Sequence, residues 1–590
     1  MEMKVADVIV KCLEAEGIEY AFGISGSHYL ALYKALKDSS IKYISVKHES
    51  SAGFMAAHYA RLAQKPALLL CTAGPGAMNA LNGITELYKA NLPCFILSPI
   101  VATDLQGKNA FQEDSGLGNS YSIAEVMRAV TKKSITCVHP GNIVHYVRDL
   151  MRYMLSGRKG PVHLLIASNF FESVTEYTPA TPAQYRNAGE ECTEPNKIRS
   201  IAKTLHESKR PLLFTGNRAW YPDSSDMIKK ISHDFGIPVV LSSAAKGLFD
   251  EYSPYFGGIL DLYGHRSAEV FVKKADLIVS IGEEFSELAT NKYEPGLFGN
   301  NTIQIDIDGY DIGRNYPVML SACGDLNFSL NSLYNELKCL GEKQFFSHSF
   351  ADEFAKENRA LWEDMEDPSL PMKSPRAFKE ISDLLPANST VFNDMGANGF
   401  LSLRHLRVRE HGYSACMCGY SMGQGVAGCV GGKLAAPEKM AISITGDGSF
   451  LMNGFEIATA CQYNIPIIWI IFNNNCYGMV DIGQKILYND NLKFCCDIFV
   501  PDLSKIADSF SIDYYKCTDP ASIRKNFVSA KNKYVTNSKS AIVEVVTDNN
   551  DIFPIKPRAV KYIQEIGNTE EAGKSSYLMK SFKRMLREKV

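Results

Sequence analysis

Apolar residues recur along this chain in two alternating patterns. Short continuous runs rich in Val, Ile, Leu and Phe (PALLLC at 66–71, CFILSP at 94–99, PLLFT at 211–215, LIVSI at 277–281, IIWIIF at 467–472) have the pattern of strands buried on both faces. Weaker runs at 20–24, 41–46, 239–241, 303–308, 391–393 and 442–445 predict further strands. Between them lie stretches with helical spacing: 5–16, closed by Gly17, then 51–62, and 450–463 with Phe455, Ile457, Ala458 and Cys461 on one face and Asn453 as a cap. Strand and helix alternating at this interval predict an α/β protein of Rossmann- or flavodoxin-like, doubly wound parallel sheets.

A chain of 590 residues exceeds one hydrophobic core. A polar segment with Pro and Glu at 176–194 and a charged helical linker at 346–370 divide it. The expected domains are 1–180, 195–345 and 371–555, followed by a tail at 556–590 that ends in a basic amphipathic helix. Composition changes this picture little: 46% hydrophobic and 22% charged residues are those of a globular protein. A formal net charge of -3 gives no reason to expect nucleic acid or an anionic membrane as partner. No run approaches the roughly 18–20 apolar residues of a membrane span, and the N-terminus lacks the apolar region of a signal peptide. The fifteen cysteines are dispersed without a C-x-x-C, which points to buried free thiols and a cytoplasmic protein.

Ligands of open parallel sheets bind outside the carboxyl ends of strands. Two such ends attract attention: Gly446-Asp447-Gly448, read as a tight turn, and Asn473-Asn474-Asn475, so that Asp447 and Asn474 should meet at one sheet edge. A carboxylate, an amide oxygen and a backbone carbonyl are hard donors suited to Mg²⁺ and phosphate, and the glycines allow close backbone approach. The same residues could form ordinary turns of a βαβ unit. The full spacing, GDG, 24 residues, NN, resembles the thiamin-diphosphate motif. That resemblance implies Asp447 and Asn474 as side-chain metal ligands and Cys476 as a carbonyl ligand. Gly446, Gly448, Ser449, Gly478 and Met479 would lie around the cofactor.

Glu49 follows a strand directly and is either a helix cap or a carboxylate buried on purpose. VKHESSAGFMAAHYAR at 46–61, with TAGPGAMN at 72–79, resembles the pyrimidine-binding domain of acetohydroxyacid-synthase-like enzymes. By that resemblance Glu49 hydrogen-bonds N1′ of the aminopyrimidine, and Gly74, Pro75 and Asn79 belong to the cofactor-binding turn. An apolar surrounding favours the protonated form of a carboxyl group, which lets it exchange that proton. The turn SGSH places Ser27 and His28 where related enzymes carry acid–base groups, and NAFQEDS resembles AFQE, making Phe111 and Gln112 pocket residues. DMGANG puts Gly396, Ala397 and Asn398 where the family has GQHQ and meets the diphosphate. GYSMGQGVAG at 419–428 resembles G-x-x-T-M-G-x-G, so Gly419 and Met422 would prop the cofactor in its bent form.

The chain also departs from that family. Its members hold FAD in the middle domain, but here a histidine is replaced by Tyr263 and the arginine of GxRF by Glu284, a poor neighbour for phosphates. FAD is therefore not expected. Gly483 stands where the family's GMVxQW has tryptophan, which opens the acceptor pocket and argues against a typical acetolactate-forming enzyme. The resemblance implies a thiamin-diphosphate- and Mg²⁺-dependent enzyme that decarboxylates a 2-oxo acid and joins the product to a second carbonyl. Because Glu49 and Asp447 lie on different domains, it also implies a homodimer or homotetramer. The alternatives are a simple 2-oxo acid decarboxylase and an FAD-dependent 2-oxo acid oxidase.

Overall fold

The computed structural model describes residues 1–187, 193–220, 222–341, 343–415, 418–488, 492–548, 576 and 578–580. Most of the predicted C-terminal helix lies outside them; residues 576 and 578–580 are helical. Among the described residues, three six-stranded parallel sheets, each flanked by helices, carry the fold, beside a small antiparallel pair, Glu2–Lys4 with Val174–Glu176. The first runs Lys42–Ser45, Tyr20–Gly23, Ala67–Leu70, Cys94–Ile100, Val162–Ala167, Lys133–Cys137. The second runs Phe256–Leu260, Val239–Ser242, Pro211–Thr215, Leu277–Ile281, Thr302–Asp306, Leu320–Cys323. The third runs Tyr413–Ser414, Ser389–Asn393, Met440–Gly446, Ile468–Asn473, Ala541–Val546, Asp513–Cys517. Central strands such as Ile468–Asn473 are buried along their whole length, as their unbroken apolar runs require. Among the described residues, no helix is long and apolar enough to cross a membrane, and all thirteen cysteines are free thiols.

Two compact units organise these sheets. The first comprises Met1–Gly189, Cys416–Ala441 and Asn453–Ile467. The second comprises Glu190–Ala415, Ile442–Met452 and Ile468–Val590. In the first unit, helix Glu49–Ala63 is clamped by two close helix crossings. A Cβ on Gly53 would stand 2.5 Å from Gly83 Cα in helix Leu81–Lys89. On helix Gln424–Ala435, a Cβ on Gly428 or Gly431 would stand 2.0 Å from the His58 ring or the Met55 carbonyl oxygen. Small residues let these backbones approach, and the helix carrying Glu49 is fixed by steric fit.

Three local expectations are corrected. Gly446-Asp447-Gly448 is not a turn: strand Met440–Gly446 passes directly into helix Asp447–Asn453. The helix expected over 450–463 is broken into Asp447–Asn453, a 3₁₀ turn Gly454–Glu456 and Ile457–Gln462. Asn453 makes no cap; its Nδ2 donates to Ser51 Oγ at 2.7 Å, a tertiary bond made where the helix stops.

Candidate functional site

In the first unit, helix Glu49–Ala63 begins at Glu49 itself, and its N-cap is His48, whose Nδ1 accepts the Ser50 N–H at 3.2 Å. Capping therefore falls to His48 and leaves the Glu49 carboxylate free of that role. Glu49 is 7% exposed and its Oε2 accepts a hydrogen bond from Asn79 Nδ2 at 3.1 Å. Its Oε1 lies over Gly76, where an added Cβ would stand 3.3 Å away. Strand Ala67–Leu70 feeds this TAGPG turn, and Pro75 opens the short helix Pro75–Asn79 that ends on Asn79.

The backbone just before Glu49 is held from a distant part of the sequence. Glu456, 2% exposed, accepts the Lys47 and His48 N–H groups at 3.0 and 3.1 Å. Burial raises the pKa of Glu456, while these donors and Thr459 oppose the shift.

Gly74 has φ 66° and donates its N–H to Asp114 Oδ2 at 2.8 Å. A Cβ there would stand 3.1 Å from the Gln112 carbonyl oxygen, so the glycine turn and the 112–114 loop pack together. Gln112 itself is half-buried and left-handed at φ 60°, and Phe111 is 77% exposed. Asp114 is fully buried, and burial lifts its carboxyl group to about 6. Ser27 and His28 form a 3₁₀ turn anchored by Tyr29, whose hydroxyl donates to the Cys71 carbonyl at 2.9 Å. Ser27 is exposed; His28 is half-buried, its Nδ1 has no hydrogen-bond partner, and burial lowers its pKa. The chain from Gly419 to the half-buried Met422 also belongs to this unit, with the Gly419 N–H on Glu86 Oε1 at 3.0 Å.

The second unit brings together the carboxyl ends of three neighbouring strands, Ser389–Asn393, Met440–Gly446 and Ile468–Asn473. Each end is followed by a helix: Ala397–His405, Asp447–Asn453 and Gly478–Tyr488. Gly396, at φ 134°, is the N-cap of the first. The starts of these helices are packed together. A Cβ on Gly478 would stand 3.3 Å from Ala397 Cβ, one on Gly446 would stand 3.6 Å from Asn398 Nδ2, and Ser449 Oγ donates to the Met395 carbonyl at 2.8 Å. Met479, the second residue of its helix, is half-buried. Asp447, 3% exposed, accepts the Gly448 N–H on Oδ1 at 2.8 Å and the Asn474 N–H on Oδ2 at 3.1 Å. Asn474 Oδ1 in turn accepts the Cys476 N–H at 3.2 Å. Burial raises the Asp447 pKa against these backbone donors.

This arrangement fits a diphosphate held with a divalent cation. Helix N-termini present unpaired N–H groups and the positive end of the helix dipole to an anion. The carboxylate of Asp447, the amide oxygen of Asn474 and the carbonyl of Cys476 are hard oxygen donors, a type that Mg²⁺ can take beside phosphate. The sequence singles out Asp447, Asn474 and Cys476, which stand at neighbouring strand ends, and does not single out Asp114, Glu86 or Glu456. Of the three, only Asp114 had a signal, its place next to the AFQE-like stretch.

The central sheet has its own crevice, where strands Pro211–Thr215 and Leu277–Ile281 adjoin and the chain order reverses. Arg218, 5% exposed, occupies it and pairs with Asp306 at 2.9 Å, with Asp311, and with Glu284 at 3.4 Å. Glu283 is buried beside them, and burial raises it to about 7. Two phosphates brought here would face four carboxylates, with the Arg218 guanidinium already engaged.

Profiles of the thiamine pyrophosphate enzymes match along the chain: the N-terminal TPP-binding domain over residues 3–119, the central domain over 198–333 and the C-terminal TPP-binding domain over 394–545. A probable acetolactate synthase large subunit of Methanocaldococcus jannaschii is 28% identical over 566 residues, 94% of each chain. The acetolactate synthase large subunit of Haemophilus influenzae is 29% identical, covering 94% of this chain and 96% of that one. That of Pyropia yezoensis is 27% identical over 95% of both.

Proposed function

We propose that this chain, which belongs to the thiamine pyrophosphate enzymes, decarboxylates a 2-oxo acid and joins the remaining acyl unit to a second carbonyl compound. The observation that carries this reading is Glu49, a buried carboxylate relieved of capping by His48 and oriented by Asn79. Thiamin diphosphate, when bound, supplies the electron sink for the pair released as CO₂ leaves. The residues of the chain do the rest. The helix starts at Ala397, Asp447 and Gly478 bind the diphosphate, and Asp447, Asn474 and the Cys476 carbonyl hold Mg²⁺. Glu49 holds and returns a proton on the aminopyrimidine side, with Asn79 fixing the carboxylate that does so. Met422 would lie against thiamin diphosphate as an apolar support. His28, with Nδ1 unengaged, moves a proton at the substrate oxygen, and Gln112 lines the same pocket. Free thiols support a reducing compartment, the cytoplasm. The active form is a homodimer or homotetramer in which two copies complete each site.

Carboligation is preferred over plain decarboxylation because the relatives are acetolactate synthases and Gly483 is open: a Cβ there meets nothing within 4 Å. The Arg218 cluster speaks against an FAD-dependent oxidase. The test is CO₂ release from a panel of 2-oxo acids with thiamin diphosphate and Mg²⁺, with products identified by mass, for the wild type and Glu49→Gln. Release that the variant lowers by about 10²–10⁴-fold, the usual contribution of a positioned acid–base group, together with a hydroxyketone product, supports the proposal. An aldehyde alone selects the decarboxylase reading, and undiminished release in the variant overturns the role of Glu49.

A further inference from the structure

Helix Leu81–Lys89 turns two polar side chains, one helical turn apart, toward the loop at 418–421. Glu86, fully buried, takes the Gly419 N–H on Oε1 at 3.0 Å; the nearby Cys418 and Ser421 N–H groups favour its ionised form, while Oε2 has no hydrogen-bond partner. Asn82 Oδ1 accepts the Ser421 hydroxyl at 2.7 Å. Position 419 has no room for a side chain, since a Cβ would stand 2.2 Å from Glu86 Oε2. Arg61, from helix Glu49–Ala63, is the charged group that acts on this carboxylate; burial outweighs it and the backbone donors and raises Glu86 to about 7. Taking a carboxylate out of water is costly unless it is well hydrogen-bonded. Here its partners are the backbone of one loop, which continues through Met422 and the left-handed Gly423 into helix Gln424–Ala435.

We propose that Glu86 is a positioning residue: its carboxylate fixes the backbone at 418–421, and with it Met422, so that the cofactor meets a preformed support. The proposal rests on the cofactor reading above. Glu86 acts through the loop and touches no reacting atom.

The test compares wild type, Glu86→Gln and Glu86→Ala by two readouts. One is thiamin diphosphate affinity with Mg²⁺, from intrinsic fluorescence between pH 6 and 8. The other is amide hydrogen exchange at 418–421 in the cofactor-free protein. Loss of hydrogen bonds to a charged acceptor should weaken binding about 10- to 100-fold in the alanine variant and speed exchange at Gly419. The wild type should bind more weakly at pH 6 than at pH 8, because protonation removes an acceptor. Glutamine, a neutral acceptor at every pH, should recover part of the affinity and abolish that dependence. Wild-type affinity and wild-type exchange in the alanine variant would overturn the proposal. A wild type that binds no thiamin diphosphate overturns the cofactor reading instead, and exchange then decides by itself whether Glu86 holds the loop.

Discussion

Asp447 Oδ2 accepts the backbone N–H of Asn474 at 3.1 Å across 27 positions of sequence. The bond ties the end of strand Met440–Gly446 to the end of strand Ile468–Asn473, which are register neighbours through Gly446 and Phe472. Asp447→Asn keeps one acceptor oxygen and removes the charge. The expected result is a loss of Mg²⁺-dependent thiamin diphosphate binding of at least about 10²-fold, more than loss of an outer-shell partner costs, with little change in melting temperature. Calorimetric titration with and without Mg²⁺ measures it, and unchanged affinity would remove Asp447 from the metal site.

Asp114 gives a pH prediction. Its folded-state carboxyl is raised from 3.8 to about 6 by burial. A raised carboxyl means the folded state holds its proton longer than the unfolded state, so stability falls as pH rises from about 4 through 6. Asp114→Asn keeps an acceptor for Gly74 and should flatten that segment of the urea-denaturation profile. A wild-type slope retained in the variant would show that another group is responsible.

Arg218→Met should leave Asp306 buried without its cationic partner, while Asp311 keeps Arg314. Breaking a buried pair from one side costs about 3–5 kcal/mol. The deficit should shrink at low pH, where the orphaned Asp306 carboxyl can take up a proton, and grow as pH rises. Thermal melts across pH test the sign, and flavin fluorescence of the purified wild type should be absent.

The crossing of Gly53 on Gly83 makes a backbone contact that a methyl group cannot share. Gly53→Ala places carbon 2.5 Å from Gly83 Cα. Overpacking of this kind costs about 1–3 kcal/mol, against the gain in helix propensity that alanine normally brings. Chemical denaturation decides the sign, and a stabilised variant would refute the packing argument.

Gly483 is the opposite case, with nothing within 4 Å of an added Cβ. Gly483→Trp, at a half-buried helix position with open space beside it, should change stability by no more than about 0.5 kcal/mol. It should narrow the range of acceptors, read as the product spectrum at fixed donor. Loss of the fold would show that the space is only local.

The strands were legible because a sheet covered on both faces demands continuous apolar runs, and the chain supplies them at 66–71, 211–215 and 467–472. The meeting of Asp447 and Asn474 was legible because both stand close in sequence to the ends of neighbouring strands. What failed to show is what depends on distant partners. Helix 450–463 reads as continuous by spacing, yet it breaks at Asn453, where the side chain reaches Ser51, 402 positions away. Glu86 and Glu456 look like ordinary helix-surface charges until residues 333 and 409 positions away supply their donors. Arg218 follows a glycine turn of the sort that cradles phosphate, and only the fold shows three carboxylates around it.

The helix that begins at Glu49 ends at Ala63, whereas the helix that covers its Met55–His58 side begins at Gln424, 361 positions later. On a ribosome adding about 5–20 residues per second, that face waits roughly 20–70 s for its partner. During translation the N-terminal sheet is thus a half-roofed intermediate whose small-residue, apolar helix is open to solvent and to other nascent chains. Isolated residues 1–189 should therefore need a chaperone or aggregate, and this face can be covered only once residues 424–435 have been made.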